Sequence, residues 1–211
     1  MKKSLKFNGF QQSDFDTFKI DGLKERMSAI QERIQPKFQA IGDELTDYLS
    51  QKLGEEMFLH IARHLRRTVN APNDTWSAYC HNKRGYKKHP HFQIGLFDDH
   101  LFVWLAFIYE LPHKQEIAEV FIDHMDEINK TIPKDYVVST DHMKKNATSM
   151  KDLDLKGTLD RFKNVKKSEF LIGKHFDVTN PILQNGESLI KEIKEIYDTL
   201  IPIYKVSFQI R

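Results

Sequence analysis

Residues 90–109, PHFQIGLFDDHLFVWLAFIY, decide what kind of fold this chain adopts. In the first half Phe92, Ile94 and Leu96 alternate with His91, Gln93 and Gly95, so a strand here has one apolar and one polar row. Asp98 and Asp99 supply turn chemistry. Leu101 to Tyr109 is apolar on both rows, as expected for a strand covered on both faces. The pair predicts a β-hairpin.

Upstream, Thr75 to His81 lies between NAPND and NKRGYKK and predicts a third strand. Met57 to Arg67 is ambiguous: Phe58, Ile61, Ala62 and Leu65 fit a helix, whereas Leu59, Ile61 and Leu65 fit one row of a strand. The strand is preferred, because an antiparallel sheet of about four or more strands, backed by helices on one face, gives each half-apolar row a place to bury. Residues 1–53 form a helical lobe, with Leu23, Met27, Ile30 and Ile34, then Phe38, Ile41, Leu45, Leu49 and Leu53, at helical spacing. Pro36 is expected to divide this lobe into two helices, and Gly54 to end the second. Residues 57–110 hold the sheet.

Residues 111–204 mix helices and strands. One helix carries Ile117, Val120, Phe121 and Ile128 and stops before Pro133; Tyr136 to Ser139 is a short strand; Leu155, Leu159, Phe162 and Val165 mark another helix. Glu169 to Phe176 is a strand, and a last helix runs from about Glu187 to Pro202. With no repeat, low-complexity tract or long linker, residues 1–211 are read as one α+β domain.

Composition excludes several classes. Apolar residues at 40%, with nine Gly and seven Pro, rule out a collagen-like or wholly disordered chain. The longest apolar run, Leu101 to Tyr109, is far short of the roughly 20 residues that span a bilayer. MKK leads into polar FNGFQQ rather than a signal-peptide core, and a lone Cys80 offers neither an internal disulfide nor a cysteine-based zinc site. The expectation is a cytoplasmic protein without a membrane partner.

The net charge is only +2, yet between His60 and His91 seven basic residues (Arg63, Arg66, Arg67, Lys83, Arg84, Lys87 and Lys88) face one acid, Asp74. Five of the ten histidines, His60, His64, His81, His89 and His91, share this stretch with Trp76, Tyr79 and Tyr86. Guanidinium groups clamp phosphate or carboxylate in pairs, and the Gly85 turn in NKRGYKK can present backbone N–H groups to the same anion. The plain alternative is a set of solvated edges and loops.

Alternation assigns side chains to rows. On a strand over Met57 to Arg67, His60, His64 and Arg66 share the row opposite Leu59, Ile61 and Leu65. By the same rule Ser77, Tyr79 and His81 form a polar row opposite Trp76, Ala78 and Cys80, and His91 and Gln93 form another. Side by side, these rows make a shallow sheet face bordered by Lys83, Arg84 and Tyr86. In STDHMKK, Asp141 and His142 suggest acid-base chemistry if the fold brings a carboxylate to the imidazole. The motif for a zinc protease needs Glu at position 61, where this chain has Ile, and no P-loop, GxGxxG, GxSxG or CxxC occurs. No metal or cofactor is expected.

The segments HIARHLRRTVNAPNDTW (60–76), NKRGYKKHPHFQIGLFDDHLFV (82–103) and DHMK (141–144) resemble the YktB-like family of uncharacterised Gram-positive bacterial proteins, from about Phe15 to Tyr204. The resemblance implies one α+β domain with a curved antiparallel sheet of the TATA-box-binding-protein type, backed by helices. It carries no catalytic residue. Beyond Tyr204 the tail KVSFQIR lies outside the match and is read as disordered or as an added strand.

The favoured function is a binding module for an anion, either a phosphorylated small molecule or single-stranded nucleic acid stacked on Tyr79, Tyr86 or Trp76. Its candidate residues are His60, His64, Arg66, Arg67, Tyr79, Lys83, Arg84, Tyr86, His91, Gln93 and His142. The alternative is an enzyme with His60, His64, His91 or His142 as general acid or base and arginines stabilising negative charge. A third reading is an adaptor that uses the apolar strand 101–109 if Phe102 or Trp104 is exposed. Ligand identity and oligomeric state stay open.

Overall fold

The computed structural model describes residues 6–210. Seven strands form one antiparallel sheet: β1 (Phe58–Ile61), β2 (Thr75–Cys80), β3 (His91–Leu96), β4 (His100–Phe107), β5 (Val137–Ser139), β6 (Thr148–Ser149) and β7 (Phe170–Asp177). Their spatial order is β1-β2-β3-β4-β7-β5-β6. The expected hairpin is β3 and β4, joined through Asp98 and Asp99, with Leu96 opposite Leu101. The helices are α1 (Gln12–Asp16), α2 (Leu23–Ala29), α3 (Gln35–Leu53), α4 (Lys114–Asp123), α5 (Met125–Thr131), α6 (Leu155–Asn164) and α7 (Gly186–Val206).

The helices bury their apolar stripes against one face of the sheet. Ile30, Phe38, Ile41, Leu45, Phe121, Leu159 and Leu200 meet Phe92, Ile94, Val103, Leu105, Phe170 and Ile172 in one continuous core. Each such side chain, fully buried, contributes about 1.5–3 kcal/mol. Asp154 and Asn185 cap α6 and α7 by accepting the N–H of Gly157 and Ser188. Gly54 ends α3 in the left-handed conformation, as its position predicts.

Several expectations change. Pro36 does not divide the lobe: α2 runs through a π-helical turn, Ile30–Ile34, directly into α3, with Pro36 in the first turn of α3. The wider turn accommodates a residue that has no N–H to donate. Pro202 does not end α7 either. The helix continues to Val206 because Ile203 and Tyr204 are buried beyond it, and Tyr204 donates from its hydroxyl to Glu55. Burying both outweighs an interior proline penalty of about 3 kcal/mol. The tail is therefore helix and turn, not disorder or strand: Phe208 packs on Tyr204 and His81. Arg211 lies outside the described residues.

The opposite face of the sheet is not open. Trp76, Ala78, Phe102, Trp104, Ala106 and Leu171 form a second apolar cluster, on which Ala62, Tyr86 and Ala147 pack from three separate loops. Gly95 makes room here: a Cβ at that position would lie 2.2 Å from the Phe102 ring. Phe102 and Trp104 are 3% and 4% exposed, which removes the adaptor reading.

Candidate functional site

The sheet supplies the floor of a cleft and three loops supply its walls. β1 stops at Ile61, so Met57 to Arg67 is not one strand and alternation fails beyond residue 61. His64 sits at φ 51°, a left-handed backbone that only glycine adopts without strain, and its carbonyl accepts the N–H of Arg67 in a tight turn. This turn swings Leu65 outward, 81% exposed, instead of toward the helices. It also brings Arg63, His64, Arg66 and Arg67 round one depression.

That depression has a volume of about 370 Å³ and is lined by Arg63, Arg66, Arg67 and Lys87, by one acid, Glu110, and by His64, Trp76, Tyr86 and His142. Lys87 lies 3.8 Å from Glu110. Among the described residues, no carboxylate pairs with Arg63, Arg66 or Arg67; the Arg67 guanidinium donates only to the Asn70 carbonyl. Trp76 organises the floor. Its Nε1–H donates to the Tyr86 hydroxyl at 2.9 Å, the rings of His64 and His142 meet it edge-on at 5.5 and 6.0 Å, and Lys87 Nζ lies 5.6 Å from its ring centre. His64 shares a hydrogen bond with Thr75 Oγ1, and burial, followed by the Arg67 and Lys87 charges, pulls its pKa down to about 4.

His142 is held differently. Its Nδ1–H donates to the carboxylate of Glu169, 2.8–2.9 Å from both oxygens, and its backbone N–H donates to Glu169 at 2.6 Å. Since a carboxylate only accepts, Nδ1 carries the proton and the imidazole is oriented with Nε2 away from Glu169. Glu169 is itself fixed: its N–H donates to the Thr140 carbonyl, and the turn before it is tied down by Lys114, whose buried ammonium donates to the carbonyls of Val165, Lys166 and Ser168. Asp141, the expected partner, instead accepts from the Met143 N–H and faces Lys144. Asp141, His142 and Glu169 each place a ligating atom within 4.8 Å of the others, the one such group among the described residues. Nδ1 of His142 and the Glu169 carboxylate there already pair with each other, so the arrangement is a carboxylate–imidazole dyad.

Asp74, just before β2, is buried with Oδ2 unpartnered among the described residues. Burial raises its pKa to about 6, opposed by the nearby charges of His142, Arg67 and Lys87.

Of the sequence-derived candidates, His64, Arg66, Arg67, Tyr86 and His142 meet in this cleft. Tyr79 does not. The β2–β3 register sets Tyr79 opposite Phe92 and Ala78 opposite Gln93, so Tyr79 lies in the helix-facing core, fully buried, with its hydroxyl 3.3 Å from Ser77. Both rows of β2 are buried, so their polarity does not show which row faces the helices. His91 and Gln93 are on the expected face but lie beneath the loops: His91 Nδ1–H donates to the His89 carbonyl, Nε2 accepts from Gln93, and burial lowers the imidazole pKa to about 3. His60 is tied to the Asn82 carbonyl and packs at a tilt against Tyr86, ring centres 5.0 Å apart. Lys83 and Arg84 are exposed on the neighbouring loop, outside the cleft lining, with Lys83 over Phe58. Trp76, Lys87, Asp74 and Glu169 are not among the sequence-derived candidates: Trp76 is signalled only as a stacking ring, Lys87 and Asp74 only as members of the basic stretch, and Glu169 not at all.

No helix among the described residues is long and apolar enough to cross a membrane. The model of a domain of unknown function, DUF1054, matches residues 10–204. A UPF0637 protein of Shouchella clausii is 59% identical over 199 residues, covering 94% of each chain. One from Oceanobacillus iheyensis is 58% identical over 204 residues, covering 97% of this chain and 98% of its own, and one from Listeria monocytogenes serotype 4a is 53% identical over 205 residues, covering 97% and 100%. These names carry no activity, and they agree with the resemblance to a Gram-positive family. With nearly the whole length matched on both sides, the chain belongs to the DUF1054 (UPF0637) family.

Proposed function

We propose that this protein binds a phosphorylated small molecule in the cleft between the 62–74, 82–90 and 140–147 loops. The observation that carries this reading is the excess of positive charge: three guanidinium groups without a carboxylate partner among the described residues, plus Lys87, which faces Glu110, the single acid on the lining of the depression. Guanidinium pairs suit phosphate oxygens, and the aromatic floor lowers the local dielectric, which strengthens each contact.

The nucleic-acid version is the weaker of the two. Stacking a base needs an open aromatic face. Here Trp76 is flanked by Lys87, His64 and His142, Tyr86 by His60 and His91, and Tyr79 is in the core.

Calorimetric titration with inorganic phosphate tests the reading. Arg67→Glu and Arg66→Glu are expected to weaken binding by about tenfold or more, since charge-assisted bonds contribute about 1.5–3 kcal/mol each. Lys83→Glu and Arg84→Glu, outside the cleft, are expected to leave it unchanged. Equal effects from both pairs would show only nonspecific attraction. A single-stranded oligonucleotide whose affinity falls steeply with salt, and exceeds that of phosphate, would favour the nucleic-acid version.

A further inference from the structure

We propose that His142 is the catalytic residue of this cleft, with Nε2 acting as a nucleophile that accepts a phosphoryl group from an organic phosphomonoester, and that Glu169 is its positioning residue. The inference rests on the cleft being an anion site and assigns its chemistry.

Three observations lead there. The first is the dyad: Glu169, 1% exposed, accepts a hydrogen bond from the Nδ1–H with both oxygens in reach, which leaves Nε2 as the nitrogen with the lone pair. No hydrogen bond to Nε2 exists among the described residues, and that nitrogen is not among the buried unpartnered atoms, so it is open to solvent from a ring that lines the cleft. The second is the cations. Arg63, Arg66, Arg67 and Lys87 line the same volume as that ring and can hold the oxygens of a phosphoryl group, whose transition state is stabilised mainly by positioning and positive charge. The third concerns the rest of the ligand. Leu65 and Met143, 81% and 51% exposed, stand on the cleft lining, an apolar rim beside the cationic side chains. Such a rim suits an ester with an apolar or aromatic alcohol portion better than free phosphate.

The chemistry balances without a redox partner. The Nε2 lone pair forms a bond to phosphorus while the bond from phosphorus to the ester oxygen breaks. That oxygen leaves with the electron pair and takes a proton from solvent. The imidazole becomes cationic, and its Nδ1–H stays on the Glu169 carboxylate, which compensates the charge. Water then attacks phosphorus, the N–P electron pair returns to Nε2, and the water proton passes to solvent, so the ester and water become an alcohol and inorganic phosphate.

The probe is p-nitrophenyl phosphate with the full chain, read as nitrophenolate release and as intact mass after a rapid quench at neutral pH. The expected result is an acid-labile adduct of one phosphoryl group per chain, absent in His142→Ala. Free imidazole is expected to restore release in His142→Ala, a rescue that no structural role explains. Glu169→Gln keeps the length and one acceptor oxygen but loses the charge; it is expected to lower kcat by at least tenfold with KM little changed, and a fall confined to KM would remove Glu169 from the role. If the full chain binds inorganic phosphate in the cleft but forms no adduct and releases no nitrophenolate, the nucleophile is wrong and the binding reading stands. Should phosphate not bind at all, the reading beneath it fails as well. An adduct that persists in a folded His142→Ala chain would also overturn the assignment.

Discussion

Nδ1 of His142 lies 2.8 Å from Oε2 of Glu169, across 27 residues of sequence. The contact joins the 140–147 loop to the residue that precedes β7, and the carboxylate accepts two donors from His142, the ring and the backbone. Removing an acceptor from buried donors costs more than the net value of the bonds themselves. Glu169→Ala is therefore expected to lower unfolding free energy by about 3 kcal/mol in urea titration. Amide exchange should quicken across 140–147 more than in β3. Unchanged exchange there would show that Glu169 is not what holds the loop.

His91 sets part of the acid limit of the fold. With its Nδ1–H given to the His89 carbonyl and Nε2 accepting from Gln93, the ring is neutral in the native state, and burial holds its pKa at about 3 against an ordinary 6.5. The unfolded chain takes up a proton as pH falls through 6.5, and the folded chain does not. The stabilisation is complete above pH 6.5 and is lost steadily down to about 3, at roughly 1.4 kcal/mol per pH unit. Replacing the titrating ring by His91→Gln is expected to flatten the stability slope between pH 6 and 4 by about that amount. Comparing slopes separates this effect from the overall stability lost by the substitution. Burial moves His64 and His175 in the same direction, so acid sensitivity persists in the variant.

How far the sequence shows this arrangement depends on what each signal measures. The β3–β4 hairpin and the helical stripes are legible because alternation and 3.6-residue spacing are local and strong. The strand ending at Ile61 is not: Arg63 to Val69 still offers apolar and polar residues that fit a row, and only the left-handed turn at His64 breaks it. Alternation alone puts Tyr79 on the wrong face because β2 is covered on both sides, and facing is then set by its register with β3. The basic cleft is half visible, since Arg66, Arg67 and His64 are close in sequence. Glu169 is invisible, because its meeting with His142 depends on the pairing of β5 beside β7.

The backbone at His64 can be tested by itself. A side-chain-bearing residue in the left-handed region costs about 1 kcal/mol relative to glycine, and the bond to Thr75 Oγ1 contributes a similar amount. In His64→Gly the two changes nearly cancel, so stability should stay close to wild type. His64→Ala loses the bond and keeps the strain. It should be less stable than the glycine variant by about 1 kcal/mol. If alanine proves the better residue in chemical denaturation, the turn does not have a left-handed residue at this position in solution.

Asp74 links stability to the cleft with the opposite sign. Its pKa rises from 3.8 to about 6, chiefly because its carboxyl is buried, so the folded chain holds a proton more tightly than the unfolded one. The cost of burying the charge is fully present above pH 6 and disappears as pH falls toward 3.8. Those two values correspond to at most roughly 3 kcal/mol. Asp74→Asn removes the charge and is expected to stabilise the protein at pH 7.5, with the gain gone below pH 4. Because the carboxylate also opposes an anion held near Arg67 and Lys87, the same variant should bind inorganic phosphate several-fold more tightly at pH 7.5, with little difference at pH 5. Stabilisation without tighter phosphate binding would place the anion outside the reach of Asp74, and so away from the floor of the cleft.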